Sequence, residues 1–365
     1  MKAAVLRELK QELSIEEVTI AKPKGREVLV RTMASGVCHS DLHIIDGLLP
    51  SPIPTVLGHE SAGIVEQVGE DVTEFSPGDH VIGCPSAFCG KCNYCLVGQS
   101  FLCAGQGSLN RVRGDQPRLA GADGKSIRQF GNISSFAEQM LVHANGLVKI
   151  RDDMPLDRAA LIGCGVTTGL GAAINTAKVA PGETVVVLGC GGVGLSIIQG
   201  CRIAGANRII AVDTMPWKLE LARKVGATDT INGAEVNALE AVKELTSGGV
   251  DYAFEAIGLK QTVEQAYAMV KPAGALVMVG ALPAGVNVEF HALDLVISQK
   301  RILGSMMGSN RFRIDMPRYV EFYMSGRLKL DEMISERFSI DEINIAIEKL
   351  RGGKLARGVI DFSIG

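Results

Sequence analysis

The sequence lacks an excess of charge of either sign. Its 365 residues carry 37 lysines and arginines against 40 aspartates and glutamates, a formal net charge of -3 and a pI near 6.1. That leaves no basic field for nucleic acid, and no run of like charges marks a tail. Leader-like character is absent too. Lys2, Arg7 and Glu8 interrupt the first eight residues, so export is not expected and a cytoplasmic location is. An uncharged stretch of 18 residues between Glu183 and Arg202 approaches the length of a membrane span, but five of them are glycines and the first part is β-branched. It predicts a buried strand, a tight turn and a packed helix instead, and no membrane partner. Disulfides are not expected either. Of nine cysteines, six stand in metal-like patterns and Cys84, Cys190 and Cys201 are left over, an odd remainder that suits a reducing compartment. The length and 47% hydrophobic content provide for two domains, each with its own core.

What is present concentrates in residues 36–60. This stretch holds Cys38, the imidazoles of His39, His43 and His59, and the carboxylates of Asp41, Asp46 and Glu60, with prolines at 50, 52 and 54 forcing an extended turn. Cysteine with histidine suits zinc, which in catalytic sites takes three protein ligands and keeps one position open. Cys38 and His59 provide two ligands, and the best candidate for the third is Cys164, within Gly163-Cys164-Gly165. A second pattern, Cys89, Cys92, Cys95 and Cys103, has spacings of two, two and seven intervening residues. Four thiols so spaced can close around one tetrahedral zinc, a site with a structural role and no chemistry.

The first third of the chain reads as short strands at 3–6, 13–18, 27–33, 62–69 and 77–82, a small barrel-like domain. Residues 105–131 are polar and lack a clear period. The reading for Arg111, Arg113, Arg118 and Arg128 is a solvated surface excursion, with contact to an anionic part of a substrate as the alternative. A helical segment, 155–176, surrounds Cys164. Next comes a strand, 184–188, followed by Gly189, Gly191, Gly192, Val193 and Gly194, a helix at 195–204, and a strand 208–213 ending in Asp213. Glycines between strand and helix, with an acid closing the next strand, form the dinucleotide fingerprint. Gly189 permits the turn, Gly191 lets the backbone approach a pyrophosphate, and Gly194 lets helix pack on strand. Asp213 suits ribose hydroxyls and repels a 2'-phosphate, which favours NAD over NADP. Helices at 218–225, 234–245 and 263–270 alternate with strands at 229–231, 250–255 and 275–280, which predicts a parallel, doubly covered sheet. Amphipathic helices follow at 317–326 and 341–351.

Together these motifs resemble the zinc-dependent medium-chain alcohol dehydrogenases of the long-loop, two-zinc type, over essentially all 365 residues. The resemblance implies an α/β protein: a β-rich GroES-like catalytic domain, 1–165 with 307–365, plus a Rossmann doubly wound parallel-sheet domain, 166–306, with the active site in the cleft between them. It implies Cys38, His59 and Cys164 as ligands of a catalytic zinc, Asp41 as acceptor for the His59 ring, and Glu60 behind the metal. The cysteines 89, 92, 95 and 103 become ligands of a structural zinc. It further implies a proton relay through Ser40 and His43, Thr168 near the nicotinamide, Lys218 over the adenosine ribose, and His39 and Arg357 at the pyrophosphate. Leu49, Pro85 and Met306 would line an apolar channel, and the sheet would continue across a subunit interface in a homodimer or homotetramer. The activity implied is reversible oxidation of a primary aliphatic, allylic or benzylic alcohol with NAD. Alternatives are a thiol-dependent formaldehyde dehydrogenase acting on a glutathione or mycothiol adduct, a nicotinoprotein that retains its NAD, and a non-enzymatic NAD-binding protein.

Overall fold

The computed structural model describes residues 1–112 and 114–364; Arg113, one of the loop arginines, lies outside the described residues. The chain divides into two compact units. The first contains Met1–Cys164, Arg311–Gly326 and Ile334–Gly365, and the second Gly165–Asn310 and Arg327–Met333. Residues 307–310 and the short piece 327–333, read above with the first domain, thus group with the second. Gln199 holds the latter there: its side chain donates to the Lys329 carbonyl at 3.1 Å and accepts the Lys329 N–H at 2.7 Å.

The first unit is built on the strand Glu27–Val37, whose near-continuous burial reflects neighbours on both edges. It pairs antiparallel with Glu60–Val68 along one edge and with Gln139–His143 and Arg357–Asp361 along the other. Cores form on its two sides. Leu6, Ile44, Leu57 and Phe136 belong to one, and Val28, Val30, Phe75 and Met140 to the other. The helix read from Pro317 begins earlier, at Phe312, with buried Phe312, Asp315 and Met316 in its opening turns and the proline inside.

The loop 105–131 departs from the solvated reading. It contains a small antiparallel ribbon, Leu119–Ala120 with Ser126–Gln129, and of its arginines Arg118 is buried and Arg111 half-buried. Glu27 is the reason. Its carboxylate accepts from Arg111 Nε at 2.9 Å and from Arg118 Nε at 2.8 Å, while the Arg118 Nη2 group donates to the Leu109 carbonyl at 2.6 Å. Burial alone would raise the Glu27 carboxyl, but Arg111 and Arg118 outweigh it and hold it below its usual value. Arg128 remains exposed.

In the second unit six strands lie parallel in the order Asp229–Asn232, Arg208–Asp213, Thr184–Leu188, Val250–Glu255, Val270–Met278 and Arg301–Gly304. Helices connect consecutive strands, and Val186, Ile210, Val242, Ala253 and Leu276 fill one core. Helix starts differ from the sequence reading where caps decide. Gly191 lets the first helix begin at Gly192, and the Asn237 side chain, accepting from Leu239 and Glu240 N–H groups, delays the third to Ala238. One helical segment, Leu156–Ala177, is long and apolar enough to cross a membrane, but 83% of its most apolar window is buried inside the protein.

Removing the Glu27 charge leaves the buried Arg118 and half-buried Arg111 guanidinium groups without their carboxylate. Glu27→Gln is expected to lower the unfolding free energy by about 3 kcal/mol near neutral pH. Because the folded carboxyl is held below its usual 4.5, wild type gains its advantage above that value and loses it as pH falls through the lower folded value. Urea unfolding at successive pH values should show the two proteins converging in acid; a constant gap would remove the ion cluster as its source.

Candidate metal and dinucleotide sites

Strand register brings the first cluster together. Gly36 lies opposite Glu60, so Cys38, just past one strand, meets His59, just before the other. Cys164 arrives from a π-helical turn, Ile162–Val166, and Gly163 lets that turn approach closely: an added Cβ would lie 2.8 Å from the Gly83 carbonyl. Cys38, His59, Glu60 and Cys164 are all buried, and their donor atoms lie within 4.8 Å of one another. Gly36 contributes by what it lacks, since a Cβ there would fall 2.3 Å from Glu60 Oε2.

Asp41 orients this group. Its carboxylate accepts the N–H groups of Cys38 and Gly58, each at 3.1 Å, and meets His59 Nδ1 at 3.2 Å, which leaves His59 Nε2 for a metal. Burial alone would disfavour a charged His59, but Asp41 and then Cys38 outweigh it. The Cys38 thiol is pushed well down, chiefly by the Cys164 hydrogen bond, and Cys164 is pushed well up by Cys38 and by burial. Two sulfurs in this state share a proton that a divalent cation would replace, so the donor set fits zinc.

Arg357, which the resemblance assigns to a pyrophosphate, pairs with an acid of the cluster. The strand Arg357–Asp361 pairs with the end of Glu27–Val37, and this puts the guanidinium under the cluster, 97% buried by its 3% exposure, with Nη2 3.3 Å from Glu60 Oε1. Burial opposes its charge, but Glu60, Cys38 and Cys164 more than compensate. Ser40, half-buried, has Oγ 3.8 Å from Cys38 Sγ, and half-buried His43 follows one turn later on the helix His39–Ile45. His39 is exposed at the start of that helix. Phe130, which the sequence reading did not single out, sets its ring edge-on to His59 at 5.1 Å. A Cβ on Gly131 would lie 3.3 Å from the Pro85 side chain and 3.5 Å from that of His59, so Pro85 borders the same place. Leu49 packs against the adjoining core, and Met306 is 59% exposed.

Cys89, Cys92, Cys95 and Cys103 form the second cluster, again with sulfurs within 4.8 Å. Cys92 Sγ lies 3.5 Å from Cys95 Sγ and 3.9 Å from Cys103 Sγ. Tetrahedral zinc–sulfur bonds of about 2.3 Å separate the sulfurs by about 3.8 Å, so the spacing fits. Backbone N–H groups of Cys89 and Gly105 donate to Cys103 Sγ at 3.2 and 3.3 Å. The Cys92 thiol falls to about 6, mainly through the Cys95 N–H, whereas burial and Cys92 raise Cys95 to about 12. A cation is needed for all four to ionise together.

The glycine turn of the second unit fits a dinucleotide. Gly189 has φ +93°, and Gly191 caps the helix Gly192–Ala204 with nothing within 4 Å of the position its Cβ would occupy. Backbone N–H groups at that helix start can therefore meet a phosphate closely, with Gly192 and Val193 in the first turn. A Cβ on Gly194 would sit 1.7 Å from the Gly189 carbonyl, so helix and strand pack only through glycine. Asp213 Oδ2 accepts the Cys190 N–H at 2.8 Å, which fixes the acid beside the turn. Lys218 Nζ lies 5.7 Å from the Trp217 ring centre, and Thr168, 9% exposed, donates to Met307 Sδ at 3.6 Å.

Two family profiles match the chain: residues 24–152 match the alcohol dehydrogenase GroES-like domain, and residues 192–324 match zinc-binding dehydrogenase. Among solved structures, an alcohol dehydrogenase zinc-binding domain protein from Burkholderia ambifaria is 36% identical, with a TM-score of 0.95 and coverage of 99% of this chain and 98% of that one. Benzyl alcohol dehydrogenase from Acinetobacter calcoaceticus is also 36% identical, with a TM-score of 0.92 and the same coverage, 99% and 98%. A protein from Sinorhizobium meliloti 1021 described as a zinc-binding dehydrogenase, bound to NADP, is 30% identical, with a TM-score of 0.82 and coverage of 99% and 98%.

The two clusters are separable by mutation. Cys103→Ser is expected to lower bound zinc from about two to about one per chain, with the remaining ion held by the buried Cys38 cluster. Metal analysis of the purified variant checks this, and loss of both ions together would show that the clusters are not independent.

Proposed function

The chain belongs to the zinc-dependent medium-chain alcohol dehydrogenases, and from that premise we propose that it oxidises a primary aliphatic, allylic or benzylic alcohol to the aldehyde, reversibly, with NAD as hydride acceptor. The observation that carries the reading is the buried convergence of Cys38, His59 and Cys164 on one point, backed by Glu60. Zinc held by these three side chains would supply a Lewis-acid position that lowers an alcohol's pKa and polarises a carbonyl, and NAD would take up the hydride.

The chain's own residues do the rest. Asp41 fixes the His59 ring and with it the direction of the third ligand. Ser40 Oγ takes the substrate's hydroxyl proton while giving up its own, and His43, on the same face of the helix, takes up the released proton and hands it to solvent. Glu60 and Arg357 offset each other's charge beneath the ligands. In the second unit, Thr168 borders the nicotinamide. Asp213, fixed by backbone N–H groups, would accept the ribose hydroxyls and exclude a 2'-phosphate, and Lys218 would be a second contact to the adenosine ribose. His39, exposed at its helix start, offers a pH-dependent contact to the pyrophosphate. The four-cysteine site holds a structural zinc.

The benzyl alcohol dehydrogenase among the similar structures, with Phe130 and Pro85 beside His59, puts benzylic alcohols first among the substrates proposed. The adduct reading loses support from Arg111 and Arg118, which Glu27 and backbone carbonyls occupy. We assign a cytoplasmic homodimer or homotetramer, formed through the edge strand Arg301–Gly304, beside which Leu293, Val296 and Ile297 are 59%, 71% and 73% exposed.

Zinc-replete protein is expected to form NADH from benzylic, allylic and primary aliphatic alcohols without any thiol. Turnover confined to formaldehyde plus a low-molecular-weight thiol would replace this substrate class by the adduct. Ser40→Ala should lower kcat about 100-fold with zinc content intact. A loss of only a few-fold, followed by rate assay and metal analysis on the same sample, would take Ser40 out of the relay.

A further inference from the structure

The turn after Asp213 holds a pair of side chains whose arrangement the chemistry above does not use. Asp213 Oδ1 accepts the Met215 N–H at 3.0 Å and Oδ2 accepts the Cys190 N–H at 2.8 Å. One carboxylate thereby ties the glycine turn to Met215, the cap of the helix Pro216–Val225. Trp217, the chain's one tryptophan, is the second residue of that helix, and Lys218 follows it. The Lys218 ammonium lies 5.7 Å from the indole ring centre, within the range of a cation–π contact, and both side chains are half-buried. The lysine's charge is also felt at the Cys190 thiol, where it opposes Asp213.

A lysine free to sample its rotamers must be ordered each time a ligand recruits it, and that ordering weakens binding. A ring that holds the ammonium beforehand removes the cost. We infer that Trp217 is a positioning residue that pre-orders Lys218 for the ribose diol of an adenosine nucleotide. The inference rests on the NAD reading above. A vicinal diol matches what the turn presents: its hydroxyl hydrogens can go to the Asp213 carboxylate while an oxygen accepts from the Lys218 ammonium. The indole makes no hydrogen bond in this scheme, so any residue with an aromatic face should substitute for it.

The test compares Trp217→Leu, which keeps apolar bulk without an aromatic face, with Trp217→Phe, which keeps the face, in wild-type and Lys218→Met backgrounds. NADH binding is followed by calorimetry on the zinc-loaded protein. Trp217→Leu is expected to weaken NADH binding about two- to five-fold and to raise KM for NAD more than it lowers kcat. Trp217→Phe should recover most of the loss, and Trp217→Leu should cost nothing further once Lys218 is methionine. Equal losses from Trp217→Leu in both backgrounds, or no loss in either, would overturn the inference and leave the NAD reading standing. Failure of wild type to bind NADH at all would overturn both. Should the leucine variant not fold, the phenylalanine variant decides: affinity close to wild type supports the inference, and a loss as large as that of Lys218→Met opposes it.

Discussion

A single buried carboxylate joins the architecture of the first unit to its chemistry. Asp41 collects the Cys38 N–H, the Gly58 N–H and the His59 ring, three groups from the end of a strand, a loop and the start of the next strand. Gly58 has φ +84°, and a Cβ there would lie 2.6 Å from Phe136, so only glycine lets the loop reach this acceptor. Without the carboxylate, nothing in the backbone alone would orient the imbidazole toward the two sulfurs. Metal affinity in such sites depends on this outer layer nearly as much as on the ligands.

Charge balance constrains the same region. A divalent cation with two thiolates is neutral, and Glu60 with Arg357 beneath it adds a second neutral pair. Burying either member alone would leave an uncompensated charge, which is costly in a dry interior. The pair sits where it does because Gly36 leaves room for the Glu60 carboxylate and because the strand Arg357–Asp361 pairs beside it. A contribution from the far end of the chain is thus part of the site's electrostatics.

The four-cysteine lobe shows a different solution. Its side chains have little core of their own: Leu96 and Val97 are 71% and 70% exposed. The four sulfurs, within 4.8 Å of one another, gather it from within, and the polypeptide that follows is tied down by Arg111 and Arg118 on Glu27. Asn145 adds a tie from the β core, donating to the Phe88 carbonyl at 2.8 Å next to Cys89. Polar and ionic contacts take the place of apolar packing there, and they are buried enough to matter.

Much of this protein is legible locally. The cysteine spacing from 89 to 103, the glycines between strand and helix, and the run of βα units each encode their structure within a few dozen residues, because turn geometry and periodicity are short-range properties. The sequence by itself determined the four-cysteine cluster, the glycine turn and the α/β class of the second unit. Tertiary structure alone decided which way the arginines face. Arg111 and Arg118 carry no local sign that their partner is Glu27, 84 and 91 residues away, and Arg357 carries none that it lies under Glu60. It also decided the places of Phe130 and Gly36, whose roles exist only once another strand or ring is beside them. Long-range pairing and burial set these contacts, and neither leaves a periodic trace in the chain.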